Sequence, residues 1–260
     1  MDRANIDKIA QTEEDKILLA RLWDKISAGI RKNIPVSTCF LSPREQELSQ
    51  YLFGNQPGLY AFGGYPDATR KMLVYMPEYL TEENLMEEAG LCCLRASFYQ
   101  GDTLSHRDFL GALMGAGIGR ETVGDICVTN GSCDFFVTKG IAPYLLQSLE
   151  SAGRTKLKLQ EIPLEDAHIP QPEVQEIRDT LASLRLDSVV SSGFRISRGS
   201  AGEYICAGKA VLNSLPCEKP DKAVEEGAVI SVRTLGKIRL KTVGGQTKKG
   251  RISVIIERYL

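Results

Sequence analysis

Between Leu91 and Ile162 the spacing of apolar residues switches from period two to period 3.6 and back, twice. Leu91 to Tyr99 reads as a strand and Ser105 to Met114 as a helix. Asp125 to Thr129 and Cys133 to Thr138 read as a hairpin turning at Asn130-Gly131. Ala142 to Ala152 reads as a second helix and Lys156 to Ile162 as a closing strand. Few arrangements accept that order of elements in so short a span.

The order β-α-β-β-α-β is that of a ferredoxin-like split unit, which packs both helices on one face of an antiparallel sheet. The opposite face is then expected to be free. RRM domains use that face for RNA, with aromatic side chains stacking on bases. Phe135 and Phe136 are adjacent on one strand and must point to opposite sides. One of them is expected to face outward.

The first 56 residues read as helical. Thr12 is an N-cap with Asp15 at N3, followed by Leu19, Leu22, Trp23, Ile26 and Ile30 at helical spacing. Ser42-Pro43-Arg44-Glu45 opens a second helix, expected to end at Gly54. Leu59 to Gly63 and Lys71 to Tyr75 look like strands. Pro163, Pro170 and Pro172 mark a stiffened connection that contains His168. The expected organisation is α+β. It has an N-terminal helical region 1–56, a central ferredoxin-like (RRM-like) domain 57–165, a linker 166–180 and a C-terminal domain 181–260.

Charge divides the chain at the same place. Leu181 to Leu260 holds 14 basic and 7 acidic residues, a net +7, whereas the rest carries −8. A basic module on an acidic body suits a polyanion. No apolar run reaches the roughly 20 residues of a membrane helix. Met1-Asp2-Arg3-Ala4-Asn5 does not read as a secretory leader. Seven scattered cysteines, without a C-x-x-C pair, do not form a disulfide framework or a zinc site, and no metal is expected.

Gly115-Ala116-Gly117-Ile118-Gly119 follows a helical stretch instead of a strand, so it reads as a helix end and turn, not a nucleotide loop. Gly244 to Gly250 has the wrong order for a P-loop. His106-Arg107-Asp108 falls in the exposed first turn after Ser105, where Asp108 suits the helix dipole. No catalytic constellation and no cofactor motif emerge.

The C-terminal segment carries the chemistry. Arg185 to Val190 reads as a short helix ending near Gly193, and Ser197 caps a second helix that ends at Gly208. Free N–H groups near Ser197 to Ser200 can meet a phosphate, with Arg195 and Arg198 flanking them and Gly199 leaving room for close approach. Lys209 and Lys219 follow, with strands at Lys209–Asn213 and Val229–Arg233.

Arg185-Leu186-Asp187, Arg195-Ile196-Ser197-Arg198, Gly208 to Asn213, Lys219-Pro220 and Glu226 to Ile230 resemble the S4 (αL-type) RNA-binding motif, with Ala228 where an aspartate is usual. Phe40 to Gln46, Phe62 to Pro66, His106 to Gly111 and Gly124 to Ile126 resemble the YlmH family of bacterial S4-domain proteins, nearly end to end. The resemblance implies a cytoplasmic, non-catalytic factor, monomeric off the ribosome. It implies binding to the large ribosomal subunit, to ribosomal RNA and to peptidyl-tRNA, in quality control of stalled translation. The implied RNA-binding residues are Arg185, Asp187, Arg195, Ser197, Arg198, Ser200, Lys209, Asn213 and Lys219, with Lys237, Arg239 and Lys241 on the basic C-terminal strands. The alternative is an RNA-modifying enzyme that uses S4 for substrate binding. It requires a catalytic domain in 1–170 that the residues do not announce.

Overall fold

A computed structural model describes residues 3–260, apart from the side chain of Ala4. The reading of the first residues as no leader falls partly on Met1 and Asp2, outside the described residues. The chain forms two units, Met1–Pro170 and Gln171–Leu260.

In the first unit, α1 (Glu13–Lys32) starts at Thr12, whose Oγ1 accepts the Asp15 N–H at 3.1 Å. The Asp15 carboxylate accepts the Thr12 N–H at 3.0 Å and both Nη groups of Arg44 at 2.6 and 2.8 Å. Arg44 lies on α2 (Pro43–Phe53), so a local cap also joins two helices. The Arg44 hydrogen bond outweighs burial and holds the Asp15 carboxyl far below the usual carboxylate range. Ser42 caps α2 as expected, and Gly54 at φ 55° ends it.

Residues 1–56 are not a separate helical region. β1 (Val36–Ser37) pairs with β3 (Met72–Tyr75), which also pairs with β2 (Leu59–Phe62). The helical pattern hid this two-residue strand, whose ladder bonds lie 37 or more positions away in sequence.

The middle of the unit is a four-stranded antiparallel sheet. Its strands are β4 (Leu91–Ser97), β5 (Val123–Thr129), β6 (Ser132–Thr138) and β7 (Lys158–Ile162), in the spatial order β5-β6-β4-β7. Helices α3 (His106–Gly115) and α4 (Ala142–Ser148) cover one face through Phe109, Leu113 and Leu145. Gly117 at φ 78° turns the chain after α3. The second helix stops at Ser148 instead of Ala152, because Ser151–Ala152 pairs with Thr155–Lys156 in a ribbon turned by Gly153 at φ 59°.

The opposite face is not free. Phe40, Met72, Val74 and Met76 pack on it together with Phe136. Both Phe135 and Phe136 are fully buried, one on each side of the sheet. The Tyr65 ring lies 5.3 Å from that of Phe136. Gly64, at φ 101°, lets its backbone approach so closely that a Cβ would stand 2.4 Å from the same ring. Neither aromatic can stack on RNA in this fold. Period two put the two phenylalanines on opposite faces correctly but could not show that a second sheet covers the face that Phe136 takes.

The proline-rich connection is also packed. Leu164, Ala167 and Ile169 lie against the same core. Asp134, 1% exposed, accepts Arg95 Nε at 2.7 Å and Nη2 at 2.6 Å, and the His168 N–H at 2.7 Å. Arg95 Nη2 also donates to the Asp166 carbonyl at 2.8 Å. His168 itself is exposed.

The second unit begins before the expected boundary. All but the last residue of β8 (Val174–Leu181) lies inside the predicted linker 166–180, yet the strand pairs along its whole length with β13 (Ile252–Tyr259). Between them come α5 (Leu186–Phe194), α6 (Arg198–Cys206), β9 (Ala210–Leu212), β10 (Leu215–Pro216), β11 (Val229–Val232) and β12 (Gly236–Gln246). The sheet order is β8-β13-β12-β11-β9-β10. The helices bury Leu186, Val189 and Ile205 on Ile238, Leu240 and Ile256. α5 ends at Phe194, next to Gly193 as expected. A Cβ on Gly193 would meet Ile238 Cδ1 at 2.6 Å, so the glycine lets helix and sheet approach, and Arg195 at φ 55° takes the cap. Among the described residues no helix is long and apolar enough to cross a membrane.

A fragment 171–260 is therefore expected to unfold cooperatively on heating. A fragment 181–260 loses β8, the burial of Ile177, and one side of the β13 ladder. Full burial of one such side chain is worth about 1.5–3 kcal/mol. Circular dichroism melts compare the two, and equal midpoints would show that β8 adds nothing to this unit.

Candidate nucleic-acid interface

Arg185 caps α5, and the first helical N–H groups meet the loop that follows Lys219. The Leu186 N–H donates to the Lys222 carbonyl and the Asp187 N–H to the Pro220 carbonyl, both at 2.9 Å. Asp187 stands in the first turn, where the helix dipole favours a carboxylate. It is 7% exposed. Arg185 reaches it with Nε at 3.3 Å and Nη2 at 3.2 Å. Arg198, the first residue of α6, reaches it with Nε at 3.1 Å and Nη2 at 3.2 Å. The Ser188 hydroxyl donates to it at 3.2 Å. Burial by itself would raise the Asp187 carboxyl, but hydrogen bonds from Arg185 and Arg198 prevail and hold it below its ordinary value.

The result is a clamp in which one buried carboxylate fixes two guanidinium planes. Each arginine gives its Nε–Nη2 edge to Asp187 and keeps Nη1 for another acceptor. Both side chains stay open, 42% exposed for Arg185 and 51% for Arg198. Such half-exposed planes can engage a phosphate.

Beside the clamp, Ser197 Oγ accepts the Ser200 N–H at 3.0 Å and lies 2.9 Å from Ser200 Oγ. A Cβ on Gly199 would touch only Ser197 Oγ, at 3.8 Å, so the surface over this turn is open. Arg195 is exposed in the connection, where the Ile196 N–H donates to the Ser191 carbonyl at 3.1 Å. Lys219 is exposed on the loop that meets α5. Lys222 belongs to this neighbourhood too. It was absent from the expected set, although the bracketing of Pro220-Asp221 by two lysines was there to be read.

The remaining expected residues lie elsewhere. Lys209 follows the other end of α6, with Nζ 5.3 Å above the Tyr204 ring. Asn213, at φ 47°, turns the chain, and its Oδ1 accepts the Val229 N–H at 2.9 Å. Lys237 and Arg239 alternate with the buried Ile238 and Leu240, so they point away from the helices. Lys237 Nζ sits 4.4 Å over the Tyr259 ring. Lys241 is held by Glu257 at 2.7 Å and Glu176 at 3.1 Å, which raise its pKa. Arg185, Asp187, Ser197, Arg198 and Ser200 thus form one group, with Lys219 beside it, and the strand residues form another on the opposite face of the sheet.

Residues 98–166 match the family model described as "Putative RNA-binding domain in YlmH". The ribosome-associated protein quality control protein P2 of Bacillus subtilis (strain 168) is 35% identical over 223 residues, which is 85% of this chain and 86% of that protein. The solved structure of the cell division protein ylmH from Streptococcus pneumoniae superposes with a TM-score of 0.51 at 18% identity, over 62% of this chain and 98% of that one. Fold and clamp define a two-unit α+β protein with an organised cationic surface on its C-terminal unit. The chain belongs to the YlmH family.

Proposed function

We propose that this chain is a cytoplasmic, non-catalytic RNA-binding factor that associates with the large ribosomal subunit and peptidyl-tRNA in ribosome-associated quality control. The clamp carries the reading: Asp187 presents Arg185 and Arg198 beside a helix N-terminus, an arrangement suited to an RNA backbone. The C-terminal unit then serves as an S4 domain. The strand order of the middle sheet supports a ferredoxin-like unit in the region matched by the family model. The name of the Bacillus subtilis relative supports the ribosomal context.

Crosslinking in cells, followed by sequencing of the attached RNA, tests this. Reads are expected on large-subunit ribosomal RNA and on tRNA. Reads confined to one site that carries a changed base would replace this reading with RNA modification.

A further inference from the structure

In the first unit a cavity of about 460 Å³ opens between the 65–70 loop, the start of α3, residues 125–128 of β5 and residues 169–170. Tyr65, Thr69, Arg70, His106, Arg120 and Asp125 are in its wall. The two arginines are held in an unusual way. Arg70 Nε donates to the Val123 carbonyl at 2.9 Å, and its Nη2 to the carbonyls of Phe40 at 3.0 Å and Arg120 at 3.2 Å. Arg120 Nη1 donates to the carbonyls of Val123 and Gly124. Every one of these acceptors is a neutral main-chain group, and neither guanidinium has an ion-pair partner among the described residues.

The nearest acid is already engaged. Asp125 accepts the Tyr65 hydroxyl at 2.7 Å and the N–H groups of Thr69 and Arg70, so it fixes the loop. Glu45 and Glu121 act on Arg70 only at longer range. Burial first, then the charge of Arg70, depress the Arg120 pKa, while burial depresses that of Arg70. Two cations therefore share a partly desolvated pocket. The main chain anchors one side of each plane. Arg70 Nη1 and Arg120 Nε and Nη2 keep their hydrogens unpaired among the described residues, and none of these atoms is shut away from solvent. Unpaired guanidinium edges beside an open, partly desolvated cleft are matched by a tetrahedral dianion.

We infer that this cavity binds the phosphate of a nucleotide, between Arg70 Nη1 and the Nε–Nη2 edge of Arg120, with His106 at the wall beside it. The volume exceeds what a lone phosphate fills and lies in the range of small-ligand pockets, roughly 300–1,000 Å³. The choice of a nucleotide over a free anion also rests on the RNA-binding reading above, and the nucleotide can be free or part of an RNA chain.

The experiment follows the arginine Nε–Hε resonances of the full chain during titration with AMP, adenosine, inorganic phosphate and a short single-stranded RNA. AMP is expected to shift the Arg120 signal saturably, at least about tenfold more tightly than inorganic phosphate, while adenosine leaves it in place. RNA binding at the same signal with tighter affinity than AMP assigns the nucleotide to a chain, and the reverse order assigns it to a free nucleotide. Arg120→Lys keeps the charge but loses the fork, and should weaken AMP about tenfold. If that variant fails to fold, the wild-type titration decides alone. An Arg120 signal unmoved by AMP, or adenosine binding as tightly as AMP, overturns the site. Phosphate binding as tightly as AMP overturns its assignment to a nucleotide. Loss of ribosomal RNA binding with AMP binding intact would strike the proposed function and leave the cavity assignment standing.

Discussion

Replacing both Arg185 and Arg198 by alanine is expected to lower affinity for ribosomal RNA at least about 100-fold at physiological salt. Each guanidinium offers a charge-assisted contact worth about 1.5–3 kcal/mol, and about 1.4 kcal/mol is a factor of ten. Removal of two phosphate contacts should also make the plot of log affinity against log salt shallower by about 2, one for each. The double variant leaves the buried Asp187 with only the Ser188 hydroxyl as a side-chain donor, so some loss of stability will accompany it. Adding Asp187→Asn removes that orphaned charge. The triple variant should recover folding while RNA binding stays weak, which separates the two effects. Equilibrium binding at several salt concentrations is the measurement. A double variant with unchanged affinity and slope would place the RNA surface outside the clamp.

Arg95→Ala should destabilise the first unit by about 3–5 kcal/mol, the usual cost of stripping one partner from a buried ion pair. The Asp134 side chain is 0% exposed, and without Arg95 only the His168 N–H remains to it. In a unit of this size each kcal/mol moves the melting temperature by about 2–4 °C. The same substitution frees the Asp166 carbonyl, so amides of residues 164–169 should exchange faster than the rest of the sheet. Arg95→Ala with Asp134→Ala together should cost less than Arg95→Ala alone, because no buried charge is left behind. Urea unfolding followed by circular dichroism reads all three proteins. A single-variant loss under about 1 kcal/mol would mean that the pair is reached by water and holds nothing in place.

Much of the local structure was legible without coordinates. The caps at Thr12 and Ser42 close within three residues, so their partners Asp15 and Glu45 stand in the same short window. The alternation through Cys92, Leu94 and Ala96 marks one face of β4, and Phe109 with Leu113 marks one side of α3. The serine cap of α6 and the flanking arginines were readable for the same reason. The second partner of Asp15 was not: Arg44 lies 29 positions away.

Local sequence set the longer helices, the strands of the middle sheet in their order, and the charge division between a basic C-terminal module and an acidic body, because propensity, capping and periodicity act over a few residues; the short β1 and the strand β8 escaped it. Tertiary structure decided which faces are covered and which charges remain available. Phe136 is buried because β1 to β3 pack over it, and a strand pattern is identical whether the far face meets water or another sheet. Lys241 is paired with Glu176, 65 positions away, whereas Arg198 is aimed by Asp187 across a tight turn at Arg195. Arg70 and Arg120 share a cavity across 50 residues of chain with no motif between them. Such pairings depend on how distant segments close in space, and no local rule for helix or strand encodes that closure.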